Sequence, residues 1–135
     1  MFENTLWLGD CFDVMAMLPD QSVDMILADL PYGTTKCKWD TVLPFDLLWE
    51  QYKRVIKPGK AIVLTASQPF TSALVMSNPA MFKYEWIWEK SKASNFLNAR
   101  KNPMKYHEDV LVFGKGAVNY YPIMAEGSSY KKVHR

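Results

Sequence analysis

Asp29, Leu30, Pro31, Tyr32 and Gly33 follow directly on the apolar run Met25-Ile26-Leu27-Ala28, so an acid, a rigid turn and an aromatic ring leave one predicted strand end together. In open α/β sheets ligands bind beyond the carboxyl ends of strands, which is where this group falls. The acid supplies acceptor oxygens, the prolyl turn holds a main-chain carbonyl outward, and the phenol ring offers a flat face. Those three features suit a planar amine. The plain alternative is a strand followed by a proline turn with no chemistry, since Pro and Gly mark turns everywhere. The position after a buried strand and the matching flanks weigh against it.

The constellation resembles the Asp-Pro-Pro-Tyr turn of the amino-methyltransferases that modify adenine N6 or cytosine N4 in DNA. From Trp7 to Phe113 the chain is similar to the N-terminal half of a phage-type member of that family's β group. The resemblance implies S-adenosylmethionine as methyl donor and a target base flipped out of double-stranded DNA. It also implies that Asp29 and the Leu30 carbonyl hold the exocyclic amine, that Pro31 shapes the turn, and that Tyr32 stacks on the base. Leu30 stands where proline is commoner, a change that keeps the carbonyl and reduces local rigidity. Gly9-Asp10 corresponds to the acid that contacts the cofactor's adenine, so Asp10, Cys11 and Asp29 are the expected cofactor residues. Asp10 is equally suited to cap the helix that follows it.

Such a transfer needs no metal and no protein nucleophile. Two acceptors on the amine hydrogens draw a ring-conjugated nitrogen toward tetrahedral geometry, and attack on the sulfonium methyl then rests on positioning and electrostatics. The sequence agrees with the absence of a metal: Cys11 and Cys37 are its only cysteines and form no Cys/His cluster. Ser67 has no evident histidine and acid partners for nucleophilic work. Adjacent His107 and Glu108 on an extended segment face opposite ways, which favours a structural bond over acid-base catalysis.

Lys90, Lys92, Arg100, Lys101 and Lys105 fall within sixteen residues that contain no acid, interleaved with Asn95, Phe96 and Asn98. Phosphate contact with base stacking uses such a mixture, and Phe96 is a second candidate to touch the flipped base. A solvated basic surface is the alternative. Total charge does not separate them, because sixteen Lys and Arg against fourteen Asp and Glu leave only +2.

The elements that must position these groups are legible as periodicities. Thr5 to Leu8 reads as a short strand, and Cys11, Val14, Met15 and Leu18 as one face of a helix stopped by Pro19. Val23 to Ala28 and Ala61 to Thr65 are apolar enough for strands covered on both faces. Between them Phe45, Leu48, Trp49, Tyr52, Val55 and Ile56 form a helical face ended by Lys57-Pro58-Gly59. A third helix is expected from Ser67, with Pro69 just inside, to Asn78-Pro79. Phe82 to Glu89 alternates with period two, and a final strand is expected from Asp109 to Phe113 after a loop spanning Ser91 to about Tyr106. The tryptophans are expected in the core.

Alternation of strand and helix predicts an α/β sheet with helices on both faces. With 49% hydrophobic residues in 135, one domain with one core is expected. The resemblance makes it an incomplete Rossmann-like methyltransferase sandwich, lacking the C-terminal cofactor-binding strands. The target-recognition segment, the His-Pro-x-x-Lys-Pro stretch and the Phe-x-Gly-x-Gly turn of full members do not occur before Arg135. In the resembled fold that missing part fills the space beside Val23 to Ala28. This strand should therefore either pair with the first one or remain an open edge, recruiting a second copy or a separate polypeptide. A silent binding module with the same half-fold, an N4-cytosine DNA enzyme, and a methyltransferase acting on RNA or a protein amide are the competing readings. No run approaches the roughly 18 apolar residues of a membrane span, and the expected location is the cytoplasm.

Overall fold

The structure, a computed structural model, describes residues 3–127. Its sheet has four strands in the order β1-β2-β4-β3: β1 (Ile26–Asp29), β2 (Ile62–Ala66), β3 (Phe82–Ser94) and β4 (Lys105–Phe113). β1 and β2 are parallel, whereas β4 runs antiparallel to both β2 and β3. Helices α1 (Cys11–Met17), α2 (Phe45–Val55) and α3 (Phe70–Ser77) complete the frame.

Alternation along the strands sorts the two faces. Ile62, Leu64, Ala66, Leu111 and Phe113 share one buried cluster with Met15 of α1, Leu48, Trp49 and Tyr52 of α2, and Phe70 and Leu74 of α3. All three helices therefore pack on the same side, which corrects the expectation of helices on both faces. The opposite face carries Leu27, Val63, Val112 and Tyr84 in one cross-strand row. Its β3 end is screened by Tyr120, whose ring centroid lies 6.4 Å from that of Tyr84, while Leu27 at the β1 end is 69% exposed.

The core residues of α2 arrive on the expected turns, with Ile56 closing the helix and Gly59 at φ +71° turning the chain toward β2. A buried bond from Thr71 Oγ1 to Asp109 Oδ2, 2.6 Å, fastens α3 to β4, and Trp49 Nε1 donates to Ser77 Oγ at 2.7 Å between α2 and α3. Arg54 donates to the carbonyls of Met15 and Leu18 and to Asp20, so α2 caps the end of α1.

Several expectations are revised. Thr5 to Leu8 forms no strand and lies exposed. On α1, Phe12 packs toward the core where Cys11 was expected, and Cys11 is exposed. Val23 makes only an isolated bridge to Ile56, and regular pairing begins at Ile26. α3 begins at Phe70 with Pro69 at its cap, while Ser67 contributes its carbonyl to the Thr71 amide. Only Trp49 of the tryptophans is buried; Trp86 and Trp88 lie on the outer strand β3 and are about half exposed. No helix among the described residues is long and apolar enough to cross a membrane.

Candidate functional site

Asp29 ends β1 opposite Thr65 of β2, and a parallel register places both side chains on the sheet face away from the helices. Thr65 Oγ1 donates to Asp29 Oδ1 at 2.5 Å. The Tyr32 hydroxyl completes a triangle, 3.0 Å from Asp29 Oδ1 and 2.9 Å from Thr65 Oγ1. Every hydrogen bond to Asp29 among the described residues falls on Oδ1, so Oδ2 remains for an outside donor. Burial, with the Asp29 charge adding to it and Thr65 opposing, pushes the Tyr32 hydroxyl far above the ordinary phenol range. Tyr32 is therefore a donor that fixes the carboxylate and does not act as a base.

Leu30 turns its side chain into the core, 8% exposed. Packing thus anchors the backbone that a second proline would otherwise stiffen. The Tyr32 ring stacks on Phe70, centroids 5.2 Å apart at 24°, which leaves one ring face for any ligand. Asp29, Leu30, Pro31, Tyr32, Thr34, Thr35, Trp39 and Asp40 line a cleft of about 140 Å³. The loop beyond Tyr32 is drawn in by Asp40, which accepts from the Gly33 amide at 2.8 Å and the Thr35 amide at 2.6 Å. Gly33 sits at φ +69°, and a Cβ there would lie 2.9 Å from Val42 Cγ2, so glycine is required at this turn.

Asp10 is exposed, and its Oδ1 accepts from the Phe12 amide at 2.8 Å, the helix-cap role. Partial burial and the Asp10 charge raise the neighbouring Cys11 thiol. No cluster of three metal-ligating side chains occurs among the described residues.

The basic stretch is a hairpin rather than the long loop expected. β3 continues to Ser94, a short 3₁₀ turn spans Phe96–Asn98, and β4 resumes at Lys105. Lys90 pairs with Glu108 and lies 5.3 Å from the Trp88 ring centroid, and Lys105 donates to Ser67. These two lysines are engaged within the protein. Lys92, Phe96, Asn98, Arg100 and Lys101 are exposed at the far end of the hairpin. Glu108 makes the structural bond expected of it, and Ser67 meets a lysine rather than a histidine.

Sequence reasoning missed Thr65, Phe70, Trp39 and Asp40. A polar residue inside the apolar run Ile62-Val63-Leu64-Thr65-Ala66 was an available signal for the first. For the others the spacing carried no signal, because Phe70 meets Tyr32, and Trp39 and Asp40 reach its cleft, only on folding.

Asp40 is held below its ordinary value of 3.8 chiefly by the Thr35 hydroxyl and then by the Gly33 and Thr35 amides, and Asp24 is lowered first by its bond to Lys57. A carboxylate depressed on folding stabilises the protein above its unfolded value and loses that contribution as pH falls through the folded one. The urea midpoint is therefore expected to drop between about pH 5 and about pH 3. Asp40→Asn should flatten part of that drop, and a midpoint unchanged across the window in the parent chain would contradict both assignments.

A parallel β1-β2 pair continued by an antiparallel pair, with an acid, a proline turn and a tyrosine at the end of β1, defines the incomplete Rossmann-like fold of the S-adenosylmethionine-dependent methyltransferases. The chain is 25% identical over 124 residues to the type II methyltransferase M1.MboII of Moraxella bovis, with 83% of this chain and 46% of that protein covered. It superposes on the M1.HpyAVI–SAM complex with a TM-score of 0.60 at 16% identity, covering 88% of this chain and 58% of the other. A putative DNA modification methylase of Thermus thermophilus, complexed with S-adenosyl-L-methionine, gives 0.58 at 18%, covering 86% and 57%. The cytosine-N4-specific PvuII DNA methyltransferase gives 0.61 at 12%, covering 83% and 49%. The chain thus spans about half the length of these proteins, and no protein-family model matches it.

Proposed function

We propose that this chain is the target-base half of a DNA methyltransferase that transfers a methyl group from S-adenosylmethionine to a flipped base, with adenine N6 the preferred acceptor. The observation that carries the reading is the Asp29 carboxylate: exposed at a strand end, fixed through one oxygen, and beside a cleft with aromatic walls. An amine hydrogen is held at Asp29 Oδ2 and a second at the Leu30 carbonyl, while the open face of Tyr32 takes the ring. Thr65 and Tyr32 keep the carboxylate from rotating, so little reorganisation is needed when the amine arrives. Adenine is preferred because Asp leads the turn, where N4-cytosine members more often carry Ser.

Asp10 and Asp29 are acceptors that fit the hydroxyl and amine end of the cofactor. These residues would hold that end of S-adenosylmethionine. S-adenosylmethionine, when bound, supplies the electrophilic methyl. Lys92, Phe96, Asn98, Arg100 and Lys101 form the DNA-facing hairpin in this reading, with Lys90 and Lys105 bracing it from within. Labelled methyl incorporation, read as N6-methyladenine after DNA digestion, tests the proposal. Label in RNA or protein alone would overturn the substrate, and no label together with no saturable heat on titration with S-adenosylmethionine would make the chain a silent module. Work on DNA of this kind would be done in the cytoplasm.

The same reading gives β1 a partner. β1 is the sheet edge, with Leu27 of its uncovered face 69% exposed and the preceding Met25 53% exposed. The relatives extend well beyond the matched half, and a partner supplying such an extension would fit beside this edge. A second copy pairing through this edge and a separate polypeptide covering it are the two occupants that the open ladder admits. Sedimentation of the isolated chain is expected to show association that Leu27→Lys suppresses. A stoichiometric dimer would identify the occupant as a second copy, and a monomer at every concentration would exclude the second copy and leave the separate polypeptide.

A further inference from the structure

With Phe70 against one side of Tyr32, a base whose amine reaches Asp29 can use only the other side of that ring. The cleft is about 140 Å³, well below the several hundred Å³ typical of pockets for whole small-molecule ligands, and it matches a single planar ring system. Trp39 lines it as well and is 74% exposed. An indole left in water forfeits a large burial gain, yet the loop displaying it is firmly tied. Asp40, only 9% exposed, holds the Gly33 and Thr35 amides, and its own amide donates to the Cys37 carbonyl at 3.0 Å. The turn at Gly33, where Val42 leaves no room for a side chain, sets the start of that loop. An exposed aromatic on a clasped loop beside an acceptor carboxylate is arranged to receive a flat ligand.

We propose that Trp39 is the second aromatic wall of the cleft, stacking on the face of the acceptor base opposite Tyr32. The inference rests on the reading of Asp29 as amine acceptor and adds to it a residue that grips the ring itself. Stacking is tolerant of base identity because every base presents a π-face. Trp39 therefore supplies affinity, and Asp29 supplies the choice of an amine-bearing ring.

The test uses the full 135-residue chain and two single-stranded thymine oligonucleotides, one with a central adenine and one with a central purine that lacks the amine. Unpaired bases avoid the cost of extrusion from a duplex. The Trp39 indole N–H resonance, assigned from Trp39→Phe, is followed by NMR. The parent chain should prefer adenine over purine and show an upfield ring-current shift at Trp39. Trp39→Ala should weaken both oligonucleotides roughly tenfold, with Trp39→Phe restoring most of the loss, and Asp29→Ala should erase the preference while leaving the Trp39 shift. Because Trp39 is largely exposed, its variants should keep the parent urea midpoint. Unchanged affinity of Trp39→Ala for both oligonucleotides, beside an adenine preference that still depends on Asp29, would overturn this inference alone. Absence of any preference or shift in the parent chain would overturn it together with the reading beneath it.

Discussion

Asp29→Ala is expected to lower methyl transfer by about a hundredfold to a thousandfold or more in an assembled enzyme containing this half, the range seen when one preorganised polar contact to a developing charge is removed. Binding to DNA should change little, because the exposed cations of the hairpin, Lys92, Arg100 and Lys101, lie on other elements. The fold should also survive. Thr65 and Tyr32 lose their shared acceptor but remain 2.9 Å apart and can bond each other. Asp29 is itself exposed, so no buried carboxylate partner is left without solvent. Single-turnover methylation measured beside a DNA-binding isotherm separates the two effects. Full turnover in the variant would remove Asp29 from the chemistry, and equal loss of binding and turnover would make it a docking residue.

Leu111→Ala is expected to cost about 2–5 kcal/mol of stability. Leu111 is fully buried on β4, directly across from Leu64 of β2, in the cluster that joins all three helices to the sheet. A marginal total of roughly 5–15 kcal/mol, usual for a domain, leaves little to spare. This core is one-sided, with part of the other sheet face open at Leu27. Urea unfolding at constant slope should show the midpoint fall, and Ser at exposed Met76 serves as the control with little change. A loss under about 1 kcal/mol for Leu111→Ala would mean that the two layers do not pack as described.

The sheet strands, α2 and the acid-turn-aromatic group were legible because each is written in local pattern. The Phe45 to Ile56 face repeats at helical spacing, Phe82 to Glu89 alternates, and Asp29 to Gly33 is contiguous. Ends were less legible. β3 runs on to Ser94 and β4 begins at Lys105 because the two strands support each other's ladder, and no composition rule marks that mutual support. Trp86 and Trp88 alternate as core residues would, but the alternation cannot say whether a second layer covers them. The strand expected at Thr5 to Leu8 is likewise absent, and its short apolar pattern carried no sign of that.

Residue order alone thus carries the helical and extended periods, the turn chemistry at Pro31 and Gly33, and the acid that ends β1. Folding in three dimensions assigned which oxygen of Asp29 is free, since Thr65 comes from a strand 36 residues away. It also placed all three helices on one side, turned Lys90 and Lys105 inward, and brought Trp39 to the cleft through the Asp40 clasp. Local preferences act over a few residues, whereas contacts such as Thr65 to Asp29 form between segments distant in sequence and depend on how the whole sheet is paired.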